Sequence, residues 1–187
     1  MDNQVWLLYG LGNQDTKYSH TYHNLGWLFL DEVLKNKKIK TTWQGVCHNQ
    51  FCITKLKDIG SEKEISVVLA KRNGYMNESG EGLPTLLRYL KSDINHLIVI
   101  QDDTDLPLGS YKFSWDKNTA GHKGILSVNQ NLKTKAYWRL RLGSRPSLIN
   151  AKAMDFVLKR ISQEKLSELE KVFDLAYLEL LQKITSP

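Results

Sequence analysis

Three short, nearly unbroken aliphatic runs, Val5–Tyr9, Ile65–Ala70 and Leu97–Ile100, limit what this chain can become. Runs this short, without polar alternation, belong to strands covered on both faces, as in a parallel sheet with helices above and below it. Helical spacing follows the first run, with Leu25, Leu28, Phe29 and Val33 on one stripe. It follows the second as well, with Leu83, Leu86, Leu87 and Leu90 at i, i+3, i+4 and i+7. A last helix is expected from Ser162, a hydroxyl N-cap, with Leu166, Leu169, Phe173, Ala176 and Leu180 on one face. Segments 43–56 and 108–115 read as further strands. Strands alternating with helices predict one α/β domain spanning residues 1–187.

Composition narrows the class of function. Hydrophobic residues make up 41% and charged residues 25% of the 187, which suits a packed globular domain and argues against disorder or a coiled coil. No segment approaches the roughly 18 apolar residues of a membrane helix. Met1-Asp-Asn-Gln4 lacks the basic start and apolar run of a signal peptide, so a cytosolic location is expected. The net charge of +6 favours a polyanionic partner such as nucleic acid. Cys47 and Cys52 lack the further ligands that a zinc site requires and are read as reduced thiols.

Topology then locates the chemistry. In open α/β sheets, ligands sit beyond the carboxyl ends of the strands. The segments leaving those ends are Gly10-Leu-Gly-Asn13, Asn73-Gly-Tyr-Met-Asn77 and Gln101-Asp102-Asp103, so Asn13, Asn77 and Asp102 are expected to converge. His23, just before the first helix, can reach the same ends. An imidazole takes a proton from water near neutrality, and a carboxylate such as Asp102 would fix its tautomer and stabilise the imidazolium. Plainer roles stand beside these. His23 alone could be a surface or capping residue, Asn77 an N-cap, Asn13 a turn former and Met76 a packing residue.

Other motifs lose force on inspection. Gly10-x-Gly12 resembles a dinucleotide loop, but Asp15 stands where the third glycine belongs and would oppose a pyrophosphate. Asp102-Asp-Thr-Asp105 could hold Mg²⁺; Leu106-Pro-Leu-Gly109 follows at once and marks a turn in which the aspartates serve as caps. Lys35–Lys40 reads as a solvated helix end. Alternation in Trp138-Arg-Leu-Arg-Leu142 puts Arg139 and Arg141 on one strand face, where guanidiniums could hold a phosphate.

Taken together, the motifs resemble the bacterial-type peptidyl-tRNA hydrolase family over nearly the whole chain. The family's Gly-Leu-x-Asn-Pro-Gly loop corresponds to Gly10-Leu-Gly-Asn-Gln-Asp15, followed by Tyr18. Its Thr-Arg-His-Asn-x-Gly corresponds to Thr21-Tyr-His-Asn-Leu-Gly26, and its Met-Asn-x-Ser-Gly to Met76-Asn-Glu-Ser-Gly80. Its Asp-x-x-Asp-Leu-Pro-x-Gly corresponds to Asp102–Gly109, Gly-His-Asn-Gly to Gly121-His-Lys-Gly124, and Arg-Leu-Arg-x-Gly to Arg139–Gly143. The resemblance implies a mixed twisted sheet surrounded by helices, in a monomer that hydrolyses the ester of peptidyl-tRNA with no cofactor and no metal. By the same resemblance His23 is the base and Asp102 its orienting partner. Asn13, Tyr18, Met76, Asn77 and Lys123 bind substrate, and Arg141 belongs to a clamp on a tRNA phosphate. The chain departs from the pattern at Gln14-Asp15, Tyr22 and Asp116–Ala120, at Ser114 in place of the clamp lysine, and at Lys123, where the family has Asn. Lys123 motivates a second reading, a relative that binds RNA or a protein partner without useful hydrolysis.

Overall fold

The computed structural model describes residues 5–36, 41–57, 64–146 and 156–185. Seven strands form one mixed sheet: β1 (Trp6–Gly10), β2 (Gln44–Val46), β3 (Asn49–Lys57), β4 (Glu64–Arg72), β5 (Leu97–Pro107), β6 (Tyr111–Trp115) and β7 (Trp138–Arg145). Their order is β2-β3-β4-β1-β5-β7-β6. The three aliphatic runs become its parallel centre, β4-β1-β5, with β7 parallel beside β5. Antiparallel pairing closes both sides, β2-β3-β4 on one and β7-β6 on the other.

Helices α1 (Leu25–Asn36), α2 (Leu83–Tyr89), α3 (Lys123–Leu132) and α4 (Gln163–Thr185) accompany the sheet. Two separate cores follow. Leu25, Phe29 and Val33 of α1 pack with Leu169, Phe173 and Leu180 of α4 on one face; Leu83, Leu86, Ile125 and Val128 of α2 and α3 fill the other. Strand centres such as Leu8 and Val99 are therefore fully buried. Ser162 caps α4 as expected, its Oγ accepting from the Lys165 N–H at 3.4 Å. Sequence periodicity did not predict α3, a short helix with few apolar positions. Among the described residues no helix is long and apolar enough to cross a membrane.

One difference from the expected layout positions the site. The apolar run ends at Ile100, yet β5 continues through Asp102 and Asp103, which pair with Leu142 and Gly143 of β7. β1 leaves the sheet at Gly10, opposite Ile100. β5 thus outlasts its neighbour by several residues, and Asp102, itself buried, stands on that ledge.

Candidate active site

The start of α1 is pressed onto that ledge. A Cβ on Gly26 would lie 2.3 Å from the Ile100 carbonyl oxygen and 2.6 Å from the Leu11 nitrogen, so only glycine permits the approach. Gly10 and Gly12 serve the same packing, against Gly26 and the Trp27 ring respectively. The Gly-x-Gly pair thus fits helix to strand. Asn24, fully buried, fixes the register. Its Oδ1 accepts from the Asn13 N–H at 2.9 Å and its Nδ2 donates to the Asn13 carbonyl at 3.0 Å. The preceding residue, His23, is held between this staple and the Val157 carbonyl, which accepts its N–H at 2.8 Å.

His23 Nδ1 lies 2.9 Å from Asp102 Oδ1. A carboxylate only accepts, so Nδ1 carries the proton and Nε2 is the basic nitrogen. Burial disfavours the imidazolium, but the charge and hydrogen bond of Asp102 outweigh it, and the His23 pKa lies above the usual histidine value. The Lys123 ammonium pulls it down in part. Asp102 is buried, which opposes its ionisation; His23 and His122 reverse the balance and hold its pKa well below the usual carboxylate range.

His122 is the site residue to which sequence reasoning assigned no role. Its Nε2 lies 3.0 Å from the same Asp102 Oδ1, while its Nδ1 accepts from the N–H groups of Gly124 and Ile125 at 3.1 and 3.3 Å. It is the N-cap of α3. Two incoming N–H groups fix Nδ1 as unprotonated, so Nε2–H must donate to Asp102. The signal was present in Gly121-His-Lys-Gly124, but histidine is not a favoured cap type. Gly124 is required beside it, since a Cβ there would lie 2.5 Å from Met76 Sδ.

These groups open onto a cavity of about 440 Å³ lined by Asn13, Tyr18, His23, Met76, Asn77, Asp102, His122 and Lys123, among others, a size suited to a small-molecule fragment. Seven of the eight residues expected at the site therefore share one cavity. Asn13 Oδ1 accepts from the Met76 N–H at 2.8 Å, which leaves its Nδ2 to serve the cavity. Asn77 is exposed and caps neither neighbouring helix; Tyr75 and Gly82 hold those positions. Asp15 caps the short turn carrying Tyr18, its carboxylate accepting from the Lys17 N–H. Tyr22 is buried against Phe156.

Arg141 is placed differently. It lies on the same face as Arg139, as alternation required, but is only 4% exposed and does not line the cavity. Its Nε donates to Asp103 Oδ2 at 2.6 Å, and an Nη donates to Ser114 Oγ at 3.4 Å. Arg139 is equally buried; its guanidinium donates to Gln101 Oε1 at 3.3 Å and to the Asn118 carbonyl at 2.9 Å. Lys135 Nζ also reaches Asn118, at 3.2 Å, so the 116–121 approach to His122 is tied from behind. Lys35 pairs with Glu32 and Glu170; residues 37–40 of that basic stretch lie outside the described residues.

His23, Asp102 and His122 bring potential metal-ligand atoms within 4.8 Å of one another. In this arrangement His122 offers Asp102 a proton rather than a lone pair. To ligate through Nε2, His122 would have to move its proton to Nδ1, against the two N–H groups that bond there. The other aspartates of the run are separately engaged: Asp103 with Arg141 and the Asp105 N–H, and Asp105 with Arg145.

Comparison with known proteins identifies the family. A family model described as Peptidyl-tRNA hydrolase matches residues 7–186. This chain belongs to the peptidyl-tRNA hydrolase family. The peptidyl-tRNA hydrolase of Aliarcobacter butzleri is 35% identical over 168 residues, covering 90% of this chain and 86% of that protein. That of a Thermotoga species is 36% identical over 166 residues, covering 89% and 83%. The crystal structure of peptidyl-tRNA hydrolase from Acinetobacter baumannii aligns with a TM-score of 0.77 over 97% of this chain and 89% of that one, at 21% identity. Within the peptidyl-tRNA hydrolase family, this member carries Lys123 on the cavity lining, next to His122.

Proposed function

We propose that this chain hydrolyses the ester joining a peptide to the 3′-ribose of tRNA, with His23 Nε2 as general base. The observation carrying the reading is the His23–Asp102 contact, which leaves a basic nitrogen beside a cavity. Water bound at Nε2 gives up a proton as its oxygen adds to the ester carbonyl. Asp102 stabilises the imidazolium that forms, and His122, donating to the same oxygen, holds that carboxylate in place. Collapse expels the ribose oxygen, which takes the proton back. Asn13 Nδ2 and Asn77 offer hydrogen bonds to the peptide backbone or terminal nucleoside, Met76 an apolar wall and Tyr18 a partly buried ring. Contacts to backbone amides would leave the peptide sequence free to vary. The reading includes a monomer working in the cytoplasm without a cofactor. Family membership supports hydrolysis over a binding-only role. Release of free tRNA from peptidyl-tRNA tests it. His23→Ala should lower turnover by about 10²–10⁴-fold while tRNA binding persists; near-normal turnover by the folded variant would overturn it.

A further inference from the structure

Ester hydrolysis changes charge at the reacting carbon. The neutral ester takes up water, the bond to the ribose oxygen breaks and that oxygen keeps one proton. The peptide leaves as a carboxylate, and the second proton goes to solvent at neutral pH. Whether the product lingers depends on the charges around it. Among the described residues the cavity is lined by the carboxylates Asp102 and Asp103 and by one ammonium, that of Lys123. Asp103 is neutralised by Arg141. With a neutral side chain at position 123, and both imidazoles uncharged, Asp102 would leave the cavity negative and repel the product. Lys123 cancels that charge.

Among the described residues its ammonium is also uncommitted. Among the described residues, Asp102 is occupied by two imidazoles, Asp103 by Arg141 and Asp116 by Lys135, and Lys123 has no carboxylate partner. Lys123 directly follows His122, the residue bonded to Asp102, and its charge reaches His23 strongly enough to weaken that ring's hold on a proton. We infer that Lys123 makes this cavity a binding site for the carboxylate of the released peptide, so that C-terminally free N-acyl peptides retain affinity for the enzyme and inhibit it. The inference rests on the hydrolytic reading of the cavity but not on turnover itself.

The test compares an N-acetylated tripeptide with a free carboxylate against the same tripeptide amide. Both are measured as inhibitors of peptidyl-tRNA hydrolysis and, independently, by calorimetry on the full chain. The acid should bind about tenfold or more tightly than the amide, the weight of one charge-assisted hydrogen bond. Lys123→Gln should bring the ratio to one or below, and Lys123→Arg should preserve it. Lys123 is exposed on the first turn of α3, so neither substitution disturbs the core. Equal binding of acid and amide by the unsubstituted chain would overturn the inference. So would a preference that survives Lys123→Gln, including the case in which that variant loses affinity only for deacylated tRNA, which assigns the ammonium to a backbone phosphate. A Lys123-dependent preference in a chain that releases no tRNA would uphold the inference while refuting the hydrolase reading.

Discussion

Asp102→Asn separates charge from geometry at this site. Both histidines meet the same oxygen, Oδ1, at 2.9 and 3.0 Å, so an asparagine oxygen in that place still accepts both N–H groups. Only the negative charge is lost. The His122 bond, from a neutral tautomer, should survive largely intact. The His23 bond loses its ionic component in the transition state, where the ring becomes an imidazolium. Both partners are nearly buried, with side chains 13% and 2% exposed, so solvent screening does not erase the effect. A hydrogen bond to a charged group contributes about 1.5–3 kcal/mol, which corresponds to roughly 10- to 10²-fold in kcat. Asp102→Ala should do more, since it leaves two largely buried imidazole N–H groups unpaired, and its loss should approach that of His23→Ala. The pH profile gives a second readout. Asp102 raises the His23 pKa, whereas burial and Lys123 lower it; without the charge that pKa falls. Because the neutral ring is the active form, the acidic limb of kcat/KM should move to lower pH in the Asn variant, above which the plateau is reduced. An unmoved acidic limb, or equal losses in the Asn and Ala variants, would refute the assignment of Asp102 as a charged orienting partner.

Other expectations follow from the same contacts. Prolonged EDTA treatment should leave hydrolysis intact, because His122 presents a proton rather than a lone pair to Asp102; loss restored by Zn²⁺ or Mg²⁺ would reverse that assignment. Arg141→Ala strands the buried Asp103 carboxylate and should cost about 3–5 kcal/mol, lowering Tm by several degrees or more. An unchanged melting curve would contradict the buried pair, and a salt slope for tRNA binding reduced by about one unit would assign Arg141 a phosphate contact as well. Lys123→Asn removes a charge that depresses the His23 pKa, so the acidic limb of kcat/KM should move to higher pH; superimposable profiles would mean that Lys123 does not tune the base.

What could be read from sequence followed from how each signal arises. The β4-β1-β5 centre was visible because strands buried on both faces must be aliphatic throughout, and the grouping of Asn13, Asn77 and Asp102 followed from the direction of those strands. Polar strand residues were opaque. Asp102 and Asp103 lie inside β5; strand direction brought His23 to Asp102, but the partners at positions 122 and 141 are too distant in sequence for any local pattern to reveal. Arg141 shows the same limit: alternation fixes the face on which a side chain lies, not what covers that face. α3 was missed because its apolar stripe is short and its cap is a histidine whose other nitrogen belongs to the site.

The ties behind the 116–121 segment bear on the thermodynamics of binding. Arg139 and Lys135 both hold Asn118. Ordering one backbone residue costs about 1–2 kcal/mol in conformational entropy. In a loose loop that cost recurs each time substrate is engaged; here much of it is incurred once, when the chain folds. Association should accordingly show a small entropic penalty from this loop and a heat-capacity change close to that expected from the buried surface alone. The lysine and histidine at its end wait in position before the tRNA arrives.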